Sequence, residues 1–507
     1  MAVDLPKTIY ISGESVLFRV SVMMGEELSP SKMAYAELID RKGQTMSQEI
    51  IRLHGHSQLG YIDLPEDLLS DHYLLRIYTK VSMPSGPNAF HQFVTVINPK
   101  RPPNPAGKPG ILPAVDRSGA GTGLLEKAVY GTQEQVSLTL PSGNVKNMSI
   151  SIAPVNPFLG ADLAGPLEKR IYQEREAKNQ VPEIYGHIVK GTSTRQPVDT
   201  TETFFLSAHG SHSALFTAKP NTKGELYFDM GSMDQVDFVI VQSQDWENPL
   251  RALVESPFPV LALDPGFEFP ELHVDKAQEK LFLDLLAAKE VSRYYYAAGQ
   301  LDGKDWISGL YPDQEFLLDD YNRFEDFATV IREYVPKVRV RRQDRKTIFK
   351  VFDDPNNTIF DQNPLILLDA MPVFDSDALA RFDPEKIKSL KLIYRNFYLN
   401  QDVFSGVISL SSYENDFAGF PIPDQALYIP YSGPQRQRDY GVHKVMPEPV
   451  DRFHPDFRTL LLWHTPPAGQ TEKLVFQTSE VRGLFQIRIS YEDEKGERKV
   501  EEVFGVE

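Results

Sequence analysis

The chain has 507 residues, with 53 Lys plus Arg against 70 Asp plus Glu and a formal net charge of −17. That length predicts several domains, and the acidic balance argues against a nucleic-acid or anionic-membrane surface, since either needs a net basic footprint. With no cysteine anywhere, disulfides, thiolate metal sites, cysteine nucleophiles and internal thioesters are excluded, and no run of about 18 apolar residues is present to span a bilayer as a helix.

The first residues, MAVDLPKTIYISGESVLF, go straight into a strand pattern without the basic and apolar regions of an export signal. Residues 8 to 98 read as all-β. In TIYISGESVLFRVSV, Val16, Phe18, Val20 and Val22 share one face beyond a turn at Gly13, and KMAYAELIDRKGQ, HYLLRIYTKV and FHQFVTVINP follow at the spacing of sandwich strands. The Pro- and Gly-rich residues 98 to 123 lack the apolar content to pack a core and predict a linker. Strand signals resume in QEQVSLTLP and NMSISIAPV, then recur between 184 and 243 in IYGHIVKG, ETFFLSAHG, SALFTAKPN, GELYFDMG and VDFVIVQSQ.

At residue 275 the period becomes helical. Ala277, Leu281, Leu285, Ala288 and Tyr295 recur on one face, with Asp275 as the predicted cap and Gly299 as the predicted end. A second helix, FEDFATVIREYV, stops before Pro336. The short strands KVRVRR, TIFKVF, PLILLD, SLKLIY and GVISLSS then surround a helix opened by Asp383 and Pro384, a small α/β unit. A Pro- and Tyr-rich region from about residue 415 leads to a last β-unit with TLLLWHT, EKLVFQTS, LFQIRISYEDEKG and RKVEEVFGV.

No group of residues carries a catalytic or metal signature. His54 with His56, and His209 with His212, lack a third ligand at a recognisable spacing. DDPNNTIFDQN, residues 353 to 363, has hard oxygen side chains but not the glycine and terminal Glu of a calcium loop, so it reads as an Asx-rich turn. Asp319 with Asp320, and Asp375 with Asp377, read as solvated faces or caps rather than acid–base pairs. Tyr294, Tyr295 and Tyr296 point about 100° apart on a helix and cannot build one stacking face. The glycines of GAGTG at 119 to 123 have no strand before them and read as flexibility. No catalytic residue, cofactor or metal ligand is therefore assigned, and the chain is expected not to be an enzyme.

The domains carry the resemblances. TIYISGESVLFRVSV, SKMAYAELIDRKGQ, GYIDLPEDLLSDHYLLRIYT and FVTVINP, with Gly13-Glu14 and Tyr73, Arg76 and Tyr78, resemble the macroglobulin-like β-sandwiches of the α2-macroglobulin family and of Bacteroidota envelope proteins. EIYGHIVKG to FVIVQSQ resembles the carboxypeptidase-regulatory-like sandwich. FEDFATVIREYVPKVRVRR, PLILLDAMPVFDSDALARFDPEKIKSLKLIY and FSGVISLSS are similar to the plug domain of TonB-dependent outer-membrane receptors, keeping Val335-Pro336, Asp369, Pro372, Pro384, Ile387, Gly406 and Ile408. Ala370 stands where that family usually has glycine, which predicts a different backbone geometry for the turn. A receptor barrel of 22 strands needs several hundred further residues and about 95 follow the plug-like segment, so the plug is expected to stand as a module without a pore. The closing TLLLWHTPP and GLFQIRISYEDEKGERKVEEVFGV resemble the terminal β-domain of the same envelope proteins.

The resulting fold class is mainly β: a multidomain array of immunoglobulin-like or macroglobulin-like β-sandwiches, plus a small α/β plug-like domain with a preceding helix. The expected boundaries are a sandwich over 4–98, a linker over 99–124, a second sandwich portion over 125–183 and a carboxypeptidase-regulatory-like sandwich over 184–256. A helical connector over 270–323, the plug-like domain over 324–414 and a Pro/Tyr-rich segment with a C-terminal sandwich over 415–507 complete the chain. The resemblances imply export to the periplasm or outer membrane, with the signal, and room for a lipid anchor, upstream of this sequence. They imply a non-enzymatic scaffold that docks to an outer-membrane or periplasmic protein, as in a TonB-dependent transport or secretion complex, without nucleic acid. The alternatives are a macroglobulin-like protease-binding protein and a glycan-binding protein.

Overall fold

The computed structural model describes the chain except for residues 25–26, 56, 83–87, 104–122, 142–144, 161–162, 164, 168–169, 174–180, 275–277, 296–298, 301–309, 440–455, 467–472 and 495. Most of the expected linker, and Asp275, therefore lie outside the described residues. The chain forms two compact units, one from Met1–Ile184, Pro259–Asp302 and Arg436–Glu507, the other from Tyr185–Phe258 and Gly303–Gln435. Both are mainly β, as the strand patterns predict.

In the first unit, Val16, Phe18 and Val20 alternate along one strand and are fully buried, which fixes the register of Ser15–Ser21. A three-stranded sheet (Ala2–Asp4, Ser15–Ser21, Gln58–Asp63) faces a five-stranded one (Ile9–Ile11, Phe90–Ile97, Asp71–Tyr78, Met33–Ile39, Thr45–Arg52, in that order) across a core containing Phe18, Leu38, Leu75 and Val94. The five-stranded sheet is covered on its second face as well. Ile39, Leu74 and Phe93 pack there against Leu159, Ile171, Tyr172 and Phe267, while Ile9, Ile11 and Ile97 pack against Phe158, Leu272 and Leu285 of helix α1 (Glu279–Tyr295). A sheet buried on both faces has no polar-out positions, which is why Asp71–Tyr78 is buried almost throughout.

A second sandwich in the same unit has the same plan. Its larger sheet runs Val129–Tyr130, Gly496–Val506, Gly483–Asp493, Lys146–Pro154, Leu462–His464, and its smaller one pairs Gln135–Thr139 with Lys473–Gln477. In both sandwiches a short early strand lies parallel to the final strand, Ile9 beside Thr95 and Val129 beside Gly505. The side chains repeat too. Lys7 and Glu14 pair at 3.0 Å, and Glu14 accepts the Ile11 N–H at 2.7 Å; Lys127 and Glu134 pair at 2.9 Å, and Glu134 accepts the Gly131 N–H at 2.6 Å. Tyr10 and Tyr130 fill the same buried place, and the turn residues Gly13 and Gln133 both have positive φ, 83° and 54°.

The expected separation of 125–183 from 415–507 is thus corrected: strands from both stretches share one sheet. In the first sandwich Met33–Ile39 turns directly into Thr45–Arg52, whereas in the second the equivalent pair, Lys146–Pro154 and Leu462–His464, is interrupted by residues 155–461, within which the whole second unit lies. The two sandwiches meet at Trp463, fully buried, whose indole N–H donates to Asp4 Oδ2 at 2.7 Å beside Leu17 and Tyr61.

The second unit holds another sandwich, with sheets Glu225–Gly231, His187–Ser193, Ala252–Val254 and Ala214–Ala218, Phe204–Gly210, Val236–Ser243, Leu427–Pro430. Its last strand comes from beyond residue 415, outside the expected 184–256. The α/β portion builds a sheet of Gln314–Leu317, Ile387–Leu399, Asp402–Ser412, Leu365–Leu368 and Met371–Pro372, and a smaller one of Val338–Gln343, Lys346–Asp353 and Thr358–Ile359. Gln314–Leu317 belongs to this sheet rather than to a helical connector. Helix α2 (Phe327–Tyr334) is capped by Asp326, ends at Val335 before Pro336, and buries Phe327, Val330 and Ile331 in the core with Leu368, Leu379 and Leu410. The helix expected from Asp383 and Pro384 is a single 3₁₀ turn, Pro384–Lys386, because Ile387, Leu390 and Leu392 are committed to the next strand; the actual helix, α3, is Ser376–Ala380, capped by Asp375. Gly299 does not cap α1 but belongs to a two-residue strand.

Candidate functional site

The histidines weighed from sequence have structural surroundings. His209 is buried, its Nδ1 3.0 Å from Ser213 Oγ and its Nε2 2.9 Å from Ser207 Oγ, with its ring stacked on Phe238. Both nitrogens are engaged, and burial pushes its pKa down to about 3. His212 is exposed in the turn that follows, His54 is exposed, and His56 lies outside the described residues. A histidine held neutral by the fold and released on unfolding makes stability rise with pH: full above about 6.5, lost as pH falls toward the folded value. Acidification from pH 7 to 4.5 is expected to cost about 2–3 kcal/mol through His209. Hydrogen exchange in Phe204–Gly210 measures this, and His209→Gln should flatten the slope.

The acidic pairs are also accounted for. Asp319 lies 2.6 Å from Arg323 and accepts from the Tyr413 hydroxyl, and these contacts, the tyrosine's first, lower its pKa. Asp375 caps α3, and Asp377 accepts the Thr347 N–H at 2.8 Å. In the 353–363 turn, Asn356 donates to Asp353 at 2.7 Å and Asp354 pairs with Lys337, so these oxygens serve the hairpin. Among the described residues no three His, Cys, Asp or Glu side chains are placed to hold a metal ion. Nor, among them, is any helix long and apolar enough to cross a membrane.

Of the residues on which the plug resemblance rests, Val335, Ile387 and Ile408 share one core. Asp369 and Ala370 turn Leu365–Leu368 into Met371–Pro372, both with positive φ, 47° and 68°. The buried Asp369 carboxylate accepts the Ser412 N–H at 2.8 Å, the Ser412 hydroxyl at 2.6 Å and the Phe417 N–H at 2.9 Å. It ties the turn to the end of Asp402–Ser412. Ala370 holds the left-handed conformation that glycine favours, at a cost of roughly 1–2 kcal/mol. Ala370→Gly is therefore expected to stabilise the unit by about 1 kcal/mol, read as a higher urea midpoint. Gly406, with φ 83°, sits opposite a bulge in Ile387–Leu399, and a Cβ there would lie 2.8 Å from the Ile393 carbonyl oxygen.

The feature that sequence reading missed is the hairpin Val338–Gln343/Lys346–Asp353. Between residues 337 and 350 it carries Lys337, Arg339, Arg341, Arg342, Arg345, Lys346 and Lys350 against the single acid Asp344. KVRVRR is recognisable as a strand, and the same letters are the charge signal. Arg339, Arg341, Arg342, Arg345 and Lys346 are exposed. Lys337 pairs with Asp354, Lys346 with Glu247 at 3.3 Å, and Lys350 donates to the Asp361 carbonyl. Among the described residues the four arginines form no ion pair, although the charge of Arg342 acts on Asp377. Val338–Gln343 is also an edge strand, with no neighbouring strand on its outer side among the described residues. The turn residues Asp344 and Arg345 have φ of 52° and 66°, a conformation for which Asp-Gly is the usual choice.

No family model matches the chain, and no curated protein matches it. Solved structures give low-scoring likenesses. A biofilm-associated protein BSP domain aligns over 52% of this chain and 30% of its own, at 8% identity and a TM-score of 0.14. A Salmonella alpha-2-macroglobulin mutant aligns over 99% of this chain and 23% of its own, at 10% identity and a TM-score of 0.17. Dimeric latent PorU from Porphyromonas gingivalis aligns over 99% and 32%, at 9% identity and a TM-score of 0.14. The chain thus spans less than a third of the length of each of these proteins, and at such scores the likenesses carry no argument about fold or function.

Proposed function

We propose that the chain is a non-enzymatic scaffold of the cell envelope, periplasmic or outer-membrane-associated, whose inserted second unit docks to an outer-membrane or periplasmic protein. The observation that supports this reading is the exposed arginine hairpin on an open sheet edge, in a chain whose overall charge is strongly negative. Such an edge offers main-chain hydrogen bonds together with guanidinium forks, the means by which β-proteins take up partner segments. The paired sandwiches supply a stable frame, because an insertion between two adjacent strands leaves their ladder intact.

The test is a crosslinking pull-down of the full-length chain from detergent-solubilised envelope, read by mass spectrometry. Enrichment of one envelope protein, crosslinked within residues 324 to 412, is the expected result. Crosslinks confined to the two sandwiches of the first unit, or recovery of no envelope protein, would contradict the proposal.

A further inference from the structure

We propose that the Val338–Gln343 edge binds an extended, Asp- and Glu-rich segment of a partner protein. This inference rests on the reading of the chain as a docking scaffold, and specifies what is docked. Three observations carry it.

The first is charge. Seven cations stand against one acid between residues 337 and 350 in a chain of net charge −17, and four of the seven are arginines without an ion-pair partner among the described residues. An anionic ligand complements that patch, and the guanidinium fork suits carboxylates through paired hydrogen bonds.

The second is the edge. Lys337 O accepts the Phe352 N–H at 2.8 Å, and pairing proceeds in register to Gln343 opposite Lys346. In an antiparallel ladder the inward-bonded residues alternate, so Lys337, Arg339, Arg341 and Gln343 bond inward. The main-chain groups of Val338, Val340 and Arg342 point outward, and the Val338 N–H is already bonded to the Val335 carbonyl at the end of α2. Val340 and Arg342 remain to pair with an added strand, with arginine side chains on either side to meet its carboxylates.

The third is the turn. Arg345 holds a left-handed conformation that costs a non-glycine residue free energy, and the conformation brings nothing to the hairpin that Asp-Gly would not supply better. What arginine adds is a guanidinium at the tip. A lipid surface is a poorer fit, because the exposed tip, Gln343 to Lys346, has no apolar side chain to enter a bilayer interface.

The experiment uses the full chain and a fluorescein-labelled ten-residue peptide alternating Asp with Thr, followed by anisotropy at low and physiological salt. A same-length peptide alternating Lys with Thr is the control, and anionic phosphatidylglycerol vesicles and a single-stranded oligonucleotide are the competitors. Binding of the acidic peptide alone, weakened by salt, is expected. Arg341→Glu should weaken it about tenfold or more, since each charge-assisted contact is worth at least that factor. Arg345→Gly should weaken it while raising the melting temperature, which separates loss of contact from loss of fold. The proposal is overturned if the acidic peptide fails to bind, if neither substitution changes its affinity, or if vesicles or the oligonucleotide bind the hairpin more tightly. A negative result here alongside a positive pull-down would reject the acidic segment and leave the docking reading standing.

Discussion

Asp369→Ala is expected to remove about 4–5 kcal/mol from the stability of the second unit, one of the largest losses available to a single substitution in this chain. The carboxylate accepts three hydrogen bonds at 2.6–2.9 Å, two of them from the main-chain N–H groups of Ser412 and Phe417. Hydrogen bonds to a charged acceptor contribute roughly 1.5–3 kcal/mol each, and truncation leaves buried donors unpaired. Asp369→Asn retains an acceptor oxygen of similar shape, and it should lose about half as much. Hydrogen exchange along Asp402–Ser412 measures the effect in the unit concerned, which matters because a chain of two compact units does not unfold in a single two-state step. Protection in that strand should fall to nearly nothing in the alanine variant. Unchanged protection would show that the turn is not held by this carboxylate.

The second large effect concerns Glu37 and Arg76, which face each other across adjacent strands of the doubly covered sheet, 1% and 2% exposed. Arg76 Nε and Nη2 donate to Glu37 Oε2 at 3.0 and 2.5 Å, and the guanidinium lies 5.4 Å from the Tyr78 ring and 5.1 Å from the Tyr172 ring. Nearby, the Tyr35 hydroxyl donates to Glu183 at 2.7 Å, and Lys80 pairs with Glu183 at 2.8 Å. Burial, then the charge of Glu37, raises the pKa of the Tyr78 phenol well above its usual value, so it stays neutral. Glu37→Leu alone should cost about 3–5 kcal/mol, because it strands a charge in the interior. Glu37→Leu with Arg76→Met should recover most of that loss, since the desolvation of both charges is no longer required. Exchange protection of Asp71–Tyr78 in the single and double variants decides it. A double variant as unstable as the single would mean that the aromatic stacking, rather than the ion pair, holds the sheet.

These two sites show what was legible in the sequence and what was not. The period-2 placement of Val16, Phe18 and Val20 in one sandwich core, and the capped helix Phe327–Tyr334 stopping before Pro336, depend on neighbours a few residues away, and local pattern conveys them. The motif Tyr73, Arg76, Tyr78 was visible, but its partner Glu37 was not, because a buried acid on a strand looks like a solvated one until a second layer covers the sheet. The second sandwich was missed as a unit because its halves are separated by residues 155–461, and no local signal spans that gap. A signal did exist: Lys7, Tyr10 and Glu14 repeat as Lys127, Tyr130 and Glu134 with the same spacing and the same Lys–Glu pair. Asp383-Pro384 was a true cap of a short turn, and the burial of Ile387, Leu390 and Leu392 along the next strand prevented the helix from continuing. At Ala370 the letter alone could not show the conformation, since tertiary bonds through Asp369 hold the turn despite the strain.

The central claim is that the inserted unit presents the arginine hairpin to an envelope partner. Its most direct test is site-specific photocrosslinking in the native cells, with p-benzoylphenylalanine replacing Gln343 on the hairpin in one strain and the exposed Leu69 of the first sandwich in another. The account predicts a discrete adduct with an envelope protein from position 343, abolished by Arg341→Glu, and none from position 69. An adduct from position 69 with none from 343 would contradict it.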